Sequence, residues 1–173
     1  VNLLQLQDGE KVTAMLPTGE KLSGKFLFMA TNRGTVKKTP VEEFKNVRRS
    51  GLIAIKLRPG DTLEWGRQTS PGTEIILVTR EGKCIRFDEA DVRPMGRPSM
   101  GVRGIRLKGN DEVVEMDVIH EKQTSRLLIV TGNGLGKCTD LEEYRFQGRG
   151  GSGVKTANIT TRTGKIIGAK ILT

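Results

Sequence analysis

Three times along the chain, a short and wholly apolar run gives way to a glycine turn and then to a run of mixed character. The apolar runs cover 26–30, 75–78 and 127–130 and read FLFMA, IILV and LLIV. Hydrophobicity that continuous predicts strands buried on both faces, where a strand with one wet side would alternate. Turns follow at Asn32-Arg33-Gly34, Arg80-Glu81-Gly82 and Gly132-Asn133-Gly134, where glycine supplies the positive φ of a hairpin. Return strands are expected over 35–39, 83–87 and 135–139. A single helical turn comes next, at 39–42, 88–91 and 139–142. Thr39 or Thr139 as N-cap, with a glutamate three residues on, forms a capping box, and Pro40 suits the first helical position. Long loops over 46–50, 93–100 and 145–152 lead to third strands at 52–57, 102–107 and 154–159. Fourth strands at 62–65, 112–118 and 165–172 close each unit. Ahead of the first unit, residues 1–6 and 11–16 read as two short strands around Asp8-Gly9, the first similar to the closing strand of a preceding repeat.

Superposing the units brings Gly34, Gly82 and Gly134 into register, and likewise Gly51, Gly101 and Gly153. A period of roughly 50 residues is the size of a propeller blade. The expected fold is all-β, a propeller-like array of about three antiparallel blades over 26–63, 74–114 and 126–172, with 1–25 as the remnant of a preceding blade. Closed propellers take about four to eight blades, so three units predict a partial, curved array. The chain opens on Val1 without an initiator methionine and reads as part of something longer.

Charge sharpens this picture. Among 173 residues, 29 are Lys or Arg and 20 Asp or Glu, a net charge of +9. That balance favours a polyanionic partner, nucleic acid before an anionic membrane surface, and says nothing about fold. Aromatic residues make up only 4%, which argues against a single-strand binder built on base stacking. No apolar run reaches the length of a membrane span, and no signal peptide is visible. Cys84, Cys138 and the single His120 lack metal-ligand spacing, so no metal site is expected, and free thiols in a reducing cytoplasm fit them. Asn158-Ile159-Thr160 matches a glycosylation sequon by chance in a chain without a secretion signal. Gly148 to Gly153 matches the GxGxxG dinucleotide fingerprint, but a strand follows where a helix is required, and no Asp or Glu occurs from Val154 to Thr173. What remains is a glycine loop carrying Arg149, whose backbone N–H groups suit a phosphate. The carboxylates of the helical turns have no nucleophile beside them and read as caps.

Basic residues recur at equivalent places. Lys37, Lys38, Arg86 and Lys137 stand on the second strand; Arg48, Arg49, Arg93, Arg97, Arg145 and Arg149 stand in the long loop; Lys56, Arg103, Arg106 and Lys155 follow along the third strand. One such residue alone is a solvated surface group. A basic group repeated in every blade predicts a positive stripe around a curved rim, which holds duplex phosphates without reading bases and bends the DNA. A propeller whose basic face meets an acidic protein is the alternative from another class.

At FMATNRGTVKKTPVEEF (28–44), DEADVRPMGRPSMGVRGIRL (88–107) and GLGKCTDLEEYRFQGRGGSGVKT (134–156) the sequence resembles the C-terminal domain of the bacterial DNA gyrase A subunit. The resemblance covers essentially the whole chain. It implies a six-bladed β-pinwheel whose neighbouring blades exchange strands. It also implies a basic rim that wraps double-stranded DNA in support of negative supercoiling by an ATP-driven type II topoisomerase. The implied partners are the gyrase B protein and the rest of the A polypeptide, in the bacterial cytoplasm at the nucleoid, with no cofactor or metal held by this chain. The family's hallmark heptapeptide, Gln-Arg-Arg-Gly-Gly-basic-Gly, is matched at Gln147, Arg149, Gly150, Gly151 and Gly153, while Gly148 and Ser152 replace basic positions; it reads as a degenerate copy in a later blade. Cys138 stands where Lys38 and Arg86 stand in the other units. The equivalent domain of topoisomerase IV is the nearest alternative. Strand cleavage by such enzymes needs a nucleophilic tyrosine with basic and metal-binding partners. Tyr144, the one tyrosine, aligns with Phe44 and Val92 and reads as a packing residue, so the chain is expected to be non-catalytic.

Overall fold

A computed structural model describes residues 6, 8–16, 25–46, 51–120 and 125–173. Every strand pair in it is antiparallel. The first unit supplies β1 (Phe26–Thr31), β2 (Thr35–Pro40) and β3 (Leu63–Thr69). The second supplies β4 (Glu74–Thr79), β5 (Lys83–Asp88), β6 (Val102–Arg103) and β7 (Val113–Ile119). The third supplies β8 (Arg126–Thr131), β9 (Gly136–Asp140), β10 (Val154–Lys155) and β11 (Ile166–Leu172). The sheet orders are β3-β1-β2-β6, β10-β5-β4-β7 and β11-β8-β9. Each of the first two sheets therefore takes its outermost strand from the unit that follows. Thr35 pairs with Arg103 and Val36 with Val102; Cys84 pairs with Val154 and Lys83 with Lys155.

The apolar runs explain how the sheets stack. Along β4, Ile75 and Leu77 join Phe28, Ala30, Val36, Phe87 and Met116 in a core between the first and second sheets. Ile76 and Val78, on the opposite face, join Leu127, Ile129, Leu141, Tyr144 and Ile166 between the second and third. A strand with a core on both sides has no wet face, which is why IILV does not alternate. Burying a side chain of this size contributes about 1.5–3 kcal/mol. Phe28 and Phe87 meet across the first core with ring centroids 6.4 Å apart and tilted by 47°, within the favourable edge-tilted range. The fourth strands lie at one end of each sheet, and β7 touches both β3 and β11. No helix among the described residues is long and apolar enough to cross a membrane.

Several expectations need correction. Residues 11–16 and 52–57 form no strand, and the third strands of the later units shorten to β6 and β10. A strand exists only where another backbone accepts it, and these segments pair only as far as the preceding unit's second strand runs beside them. Of the first predicted strand, residues 1–5 lie outside the described residues, as do 47–50 of the first basic loop. The helical turns are single 3₁₀ turns at Val41–Phe44, Glu89–Asp91 and Leu141–Glu143, and the threonine capping box is not formed. Thr39 and Thr139 sit in the ladder opposite Leu27 and Leu127, so the pleat holds their side chains away from the turn. Only Asp88 caps its turn, accepting from Ala90 N at 2.8 Å.

Candidate nucleic-acid interface

The long loops of the second and third units do not stand free. Both are laid along the second strand of the preceding unit, with Met95 N donating to Lys38 O at 2.8 Å and Gln147 N to Arg86 O at 2.9 Å. This placement turns three of the predicted DNA contacts inward. Lys37 is fully buried, and its Nζ donates to the carbonyls of Ala54 (2.7 Å), Ser99 (3.3 Å) and Arg97. Burial lowers the Lys37 pKa, with Glu43 pulling it back up and Arg97 pushing it further down. Lys38, also buried, pairs with Glu89 Oε2 at 2.5 Å and lies over the Phe26 ring, 4.8 Å from its centroid. Arg86 reaches Glu74 Oε2 at 2.6 Å and Leu141 O at 2.8 Å. Lys38 and Arg86 thus do one job at successive joints: each reaches across to the 3₁₀ turn of the next unit. They are bolts between blades, because the edge of the second strand is covered by the neighbour's loop and offers no wet face. Cys138, at the third equivalent position, is half-buried. Burial pushes the thiol of the other cysteine, Cys84, up to about 12, with Arg86 opposing.

The glycine loop is also a joint. Gly150 N donates to Gly104 O at 2.6 Å, and Gly151 O accepts from Arg106 N at 2.8 Å, so these backbone groups serve the preceding unit and not a phosphate. Gln147 Nε2 is buried without a hydrogen-bond partner. Gly148 and Ser152 lie exposed. Gly153 is required where it stands: φ is +68°, and an added Cβ would lie 2.5 Å from Cys84 O. Gly101 does the same at the first joint, 2.5 Å from Val36 O.

Part of the basic surface that remains converges at the first joint. A groove of about 690 Å³ opens between the hairpin tip at Arg33-Gly34 and the exchanged segment from Val102. It is lined by Arg33 and Arg58 of the first unit, Arg103 and Arg106 of the second, and Arg149 of the third, with no acidic residue among the lining groups. Arg149 is held in place by two carbonyls, Asp91 O at 2.8 Å to Nε and Arg103 O at 3.2 Å to Nη1. Among the described residues none of these five arginines is ion-paired with a carboxylate. Planar guanidinium groups gathered without counter-charge suit phosphate oxygens, which they bind through two donors at once. Arg103 and Arg149 are therefore brought together; Arg93 and Arg145 are exposed elsewhere on the loops, and Arg97 is half-buried with its N donating to Glu43 Oε2. Lys137 and Lys155 line a separate cavity of about 470 Å³ with Ile129 and Leu135. Arg48 and Arg49 lie outside the described residues. Sequence reasoning missed Arg33, which sits in a turn noticed only for its glycine, and Arg58, in a turn it did not single out. Strand exchange is the signal that selects them, since it lays residues 102–106 against the preceding hairpin tip.

Tyr144 is buried in the second core with its hydroxyl 2.5 Å from Thr156 Oγ1. Among the described residues no three His, Cys, Asp or Glu side chains are placed to hold a metal ion.

Comparison with known proteins agrees with this architecture. The chain is 41% identical over 168 residues to the DNA gyrase A protein of Staphylococcus aureus (strain NCTC 8325 / PS 47), a match covering 96% of this chain and 19% of that protein. It is 45% identical over 169 residues to the DNA gyrase A protein of Klebsiella oxytoca, covering 98% of this chain and again 19% of the relative. The chain thus spans about a fifth of the length of these relatives. Among solved structures, the C-terminal domain of DNA topoisomerase IV superposes with a TM-score of 0.90 at 26% identity, covering 99% of this chain and 54% of that one. The DNA gyrase A C-terminal domain superposes with a TM-score of 0.74 at 26% identity, covering 86% and 49%. The family model described as DNA gyrase C-terminal domain, beta-propeller, matches residues 25–70, 73–120 and 125–173, one match per repeat unit, and the chain belongs to that family.

Proposed function

We propose that this chain is a non-catalytic DNA-binding and DNA-wrapping module of a gyrase A protein, working with the rest of that polypeptide and with gyrase B in the bacterial cytoplasm. The three units act as one module, the first running on to Thr69 and the second to Ile119, where their fourth strands end. The observation that carries the reading is the acid-free groove in which Arg33, Arg58, Arg103, Arg106 and Arg149 converge from three units. Phosphate contacts of this kind hold a duplex without reading its sequence. Several such contacts at intervals around a curved rim bend it, and bending a site of about 20–30 base pairs costs on the order of 1–6 kcal/mol, which charge-assisted contacts offset. Identity of 41% and 45% to gyrase A proteins favours gyrase as the parent enzyme.

The test is duplex affinity as a function of salt. Each neutralised phosphate contributes a log–log slope of about −0.9. The double variant Arg33→Ala/Arg106→Ala is expected to flatten the slope by about 2 and to weaken all sequences alike. Arg126→Ala, which removes a cation paired with Asp140 on the third sheet, leaves the slope unchanged. An unaltered slope in the double variant removes the groove from DNA binding.

A further inference from the structure

The two joints between sheets are built alike, which allows their charges to be compared position by position. At the first joint Gly34 O accepts from Gly104 N (2.8 Å) and Ile105 N (3.3 Å); at the second Gly82 O accepts from Thr156 N (2.9 Å) and Ala157 N (3.4 Å). The flanking turns correspond as well. Arg33 N donates to Asp61 Oδ1 and Glu81 N to Asp111 Oδ1, while Arg58 O and Lys108 O each accept from the aspartate three residues on. Arg103 and Lys155 hold the same place in the exchanged strands, opposite Thr35 and Lys83.

This superposition places Glu81 on Arg33, Lys108 on Arg58, Lys155 on Arg103 and Asn158 on Arg106. Four arginines at the first joint become two lysines, an asparagine and a glutamate at the second. Lys83, in place of Thr35, returns one positive charge, but no guanidinium fork remains among these positions. Lysine meets a phosphate as a point charge and lacks the two-donor geometry of arginine. Glu81 is exposed at the hairpin tip, the place where Arg33 faces the first groove. Its carboxylate pairs with Lys165 Nζ at 2.7 Å and so also withdraws a cation of the third unit from the surface.

We propose that Glu81 is a stop in the basic rim: duplex phosphates are gripped at the joint between the first and second sheets and turned away at the next. The proposal rests on the DNA-binding reading and says where on the rim that binding ends. Arg106 of the first groove also lines a small cavity with Glu81, Lys83 and Lys108, so the carboxylate stands where the first groove gives way to the second joint. Because salt screens charges beyond about 8 Å at physiological strength, Glu81 acts on the phosphates nearest it. The path of bound DNA is thereby limited by one carboxylate.

The experiment compares Glu81→Gln, Glu81→Arg, Arg33→Glu and a charge control, Glu142→Arg, on the exposed 3₁₀ turn of the third unit. Affinity for a duplex long enough to reach both joints is measured over a range of salt, together with hydroxyl-radical protection of the DNA. Glu81→Gln, which keeps a hydrogen-bond acceptor for Lys165, tightens binding several-fold. Glu81→Arg steepens the log–log slope by about 0.9, one added phosphate, and lengthens the protected tract at one end. Arg33→Glu weakens binding, and Glu142→Arg leaves the tract unchanged. If both Glu81 variants bind and protect as wild type while Arg33→Glu still loses affinity, the stop is wrong and the DNA-binding reading stands. If Glu142→Arg does as much as Glu81→Arg, the effect is general charge and the stop is likewise wrong. If Arg33→Glu also binds as wild type, the DNA-binding reading itself fails and the stop with it.

Discussion

Lys37 and Lys137 occupy the same place in their units, and both donate to the equivalent carbonyl of their own third segment, Ala54 O at 2.7 Å and Thr156 O at 3.4 Å. One is fully buried and the other exposed, because the loop of the second unit closes over Lys37. A lysine's role in this array is thus decided by its neighbour and not by its own unit. Lys38 carries the same lesson as an ion pair. Its side chain and that of Glu89 are 5% and 2% exposed, so removing one partner strands a buried charge. Lys38→Met is expected to destabilise by about 3–5 kcal/mol, whereas Lys38→Met/Glu89→Leu recovers most of that loss. Denaturant unfolding of the two variants checks it; equal losses in both would mean that the pair matters for more than charge balance.

At the scale of elements, the first and fourth strands were legible because burial on two faces or pairing along a full edge leaves a mark in composition. The IILV run of β4 and the extended β7 and β11 are of this kind. The third segments were legible as strands of six residues but not of two, since their length is set by the register of another unit's second strand. Inward-turned Lys37, Lys38 and Arg86 were illegible for the same reason: carbonyls and carboxylates that receive them come from 51 to 62 residues away, apart from Ala54 and Glu74 within the unit. The joint glycines were in register in the sequence, yet their purpose appears only where backbones touch. Gly153→Ala must place a methyl group against Cys84 O at positive φ, and is expected to cost roughly 2 kcal/mol or more, loosening β10 from β5. Gly148→Ala meets nothing within 4 Å and stays within about 0.5 kcal/mol of wild type. Thermal unfolding, with amide exchange at Val154 and Lys155, distinguishes the two; unaltered exchange in Gly153→Ala would mean that the strand can shift to make room.

Across the whole molecule, the fourth strands are tied by a cluster of charges drawn from all three units. Arg67 of β3 lies 3.7 Å from Glu115 and 3.9 Å from Asp117 of β7, and Lys170 of β11 pairs with Asp117 at 2.7 Å. Glu115 is the uneasy member: its Oε1 is buried without a hydrogen bond, and burial, reinforced by Asp117, raises its pKa while Arg67 and Lys170 oppose. A carboxylate whose pKa is raised on folding takes up its proton more readily in the native state. Its contribution is therefore most favourable below the usual carboxylate range and is lost as pH rises through the raised value. Glu115→Gln is expected to raise the melting temperature at neutral pH and to match wild type in acid; a lower melting temperature at neutral pH would show that Arg67 depends on the charge. The exchange of strands between units has another consequence, for descent. The repeating stretch of sequence and the folded blade are out of phase, so no cut between repeats releases a whole blade. Gain or loss of one period, wherever within it the break falls, still hands each blade that has a successor its closing strand, and such an array can change its number of blades through recombination at almost any point in the unit.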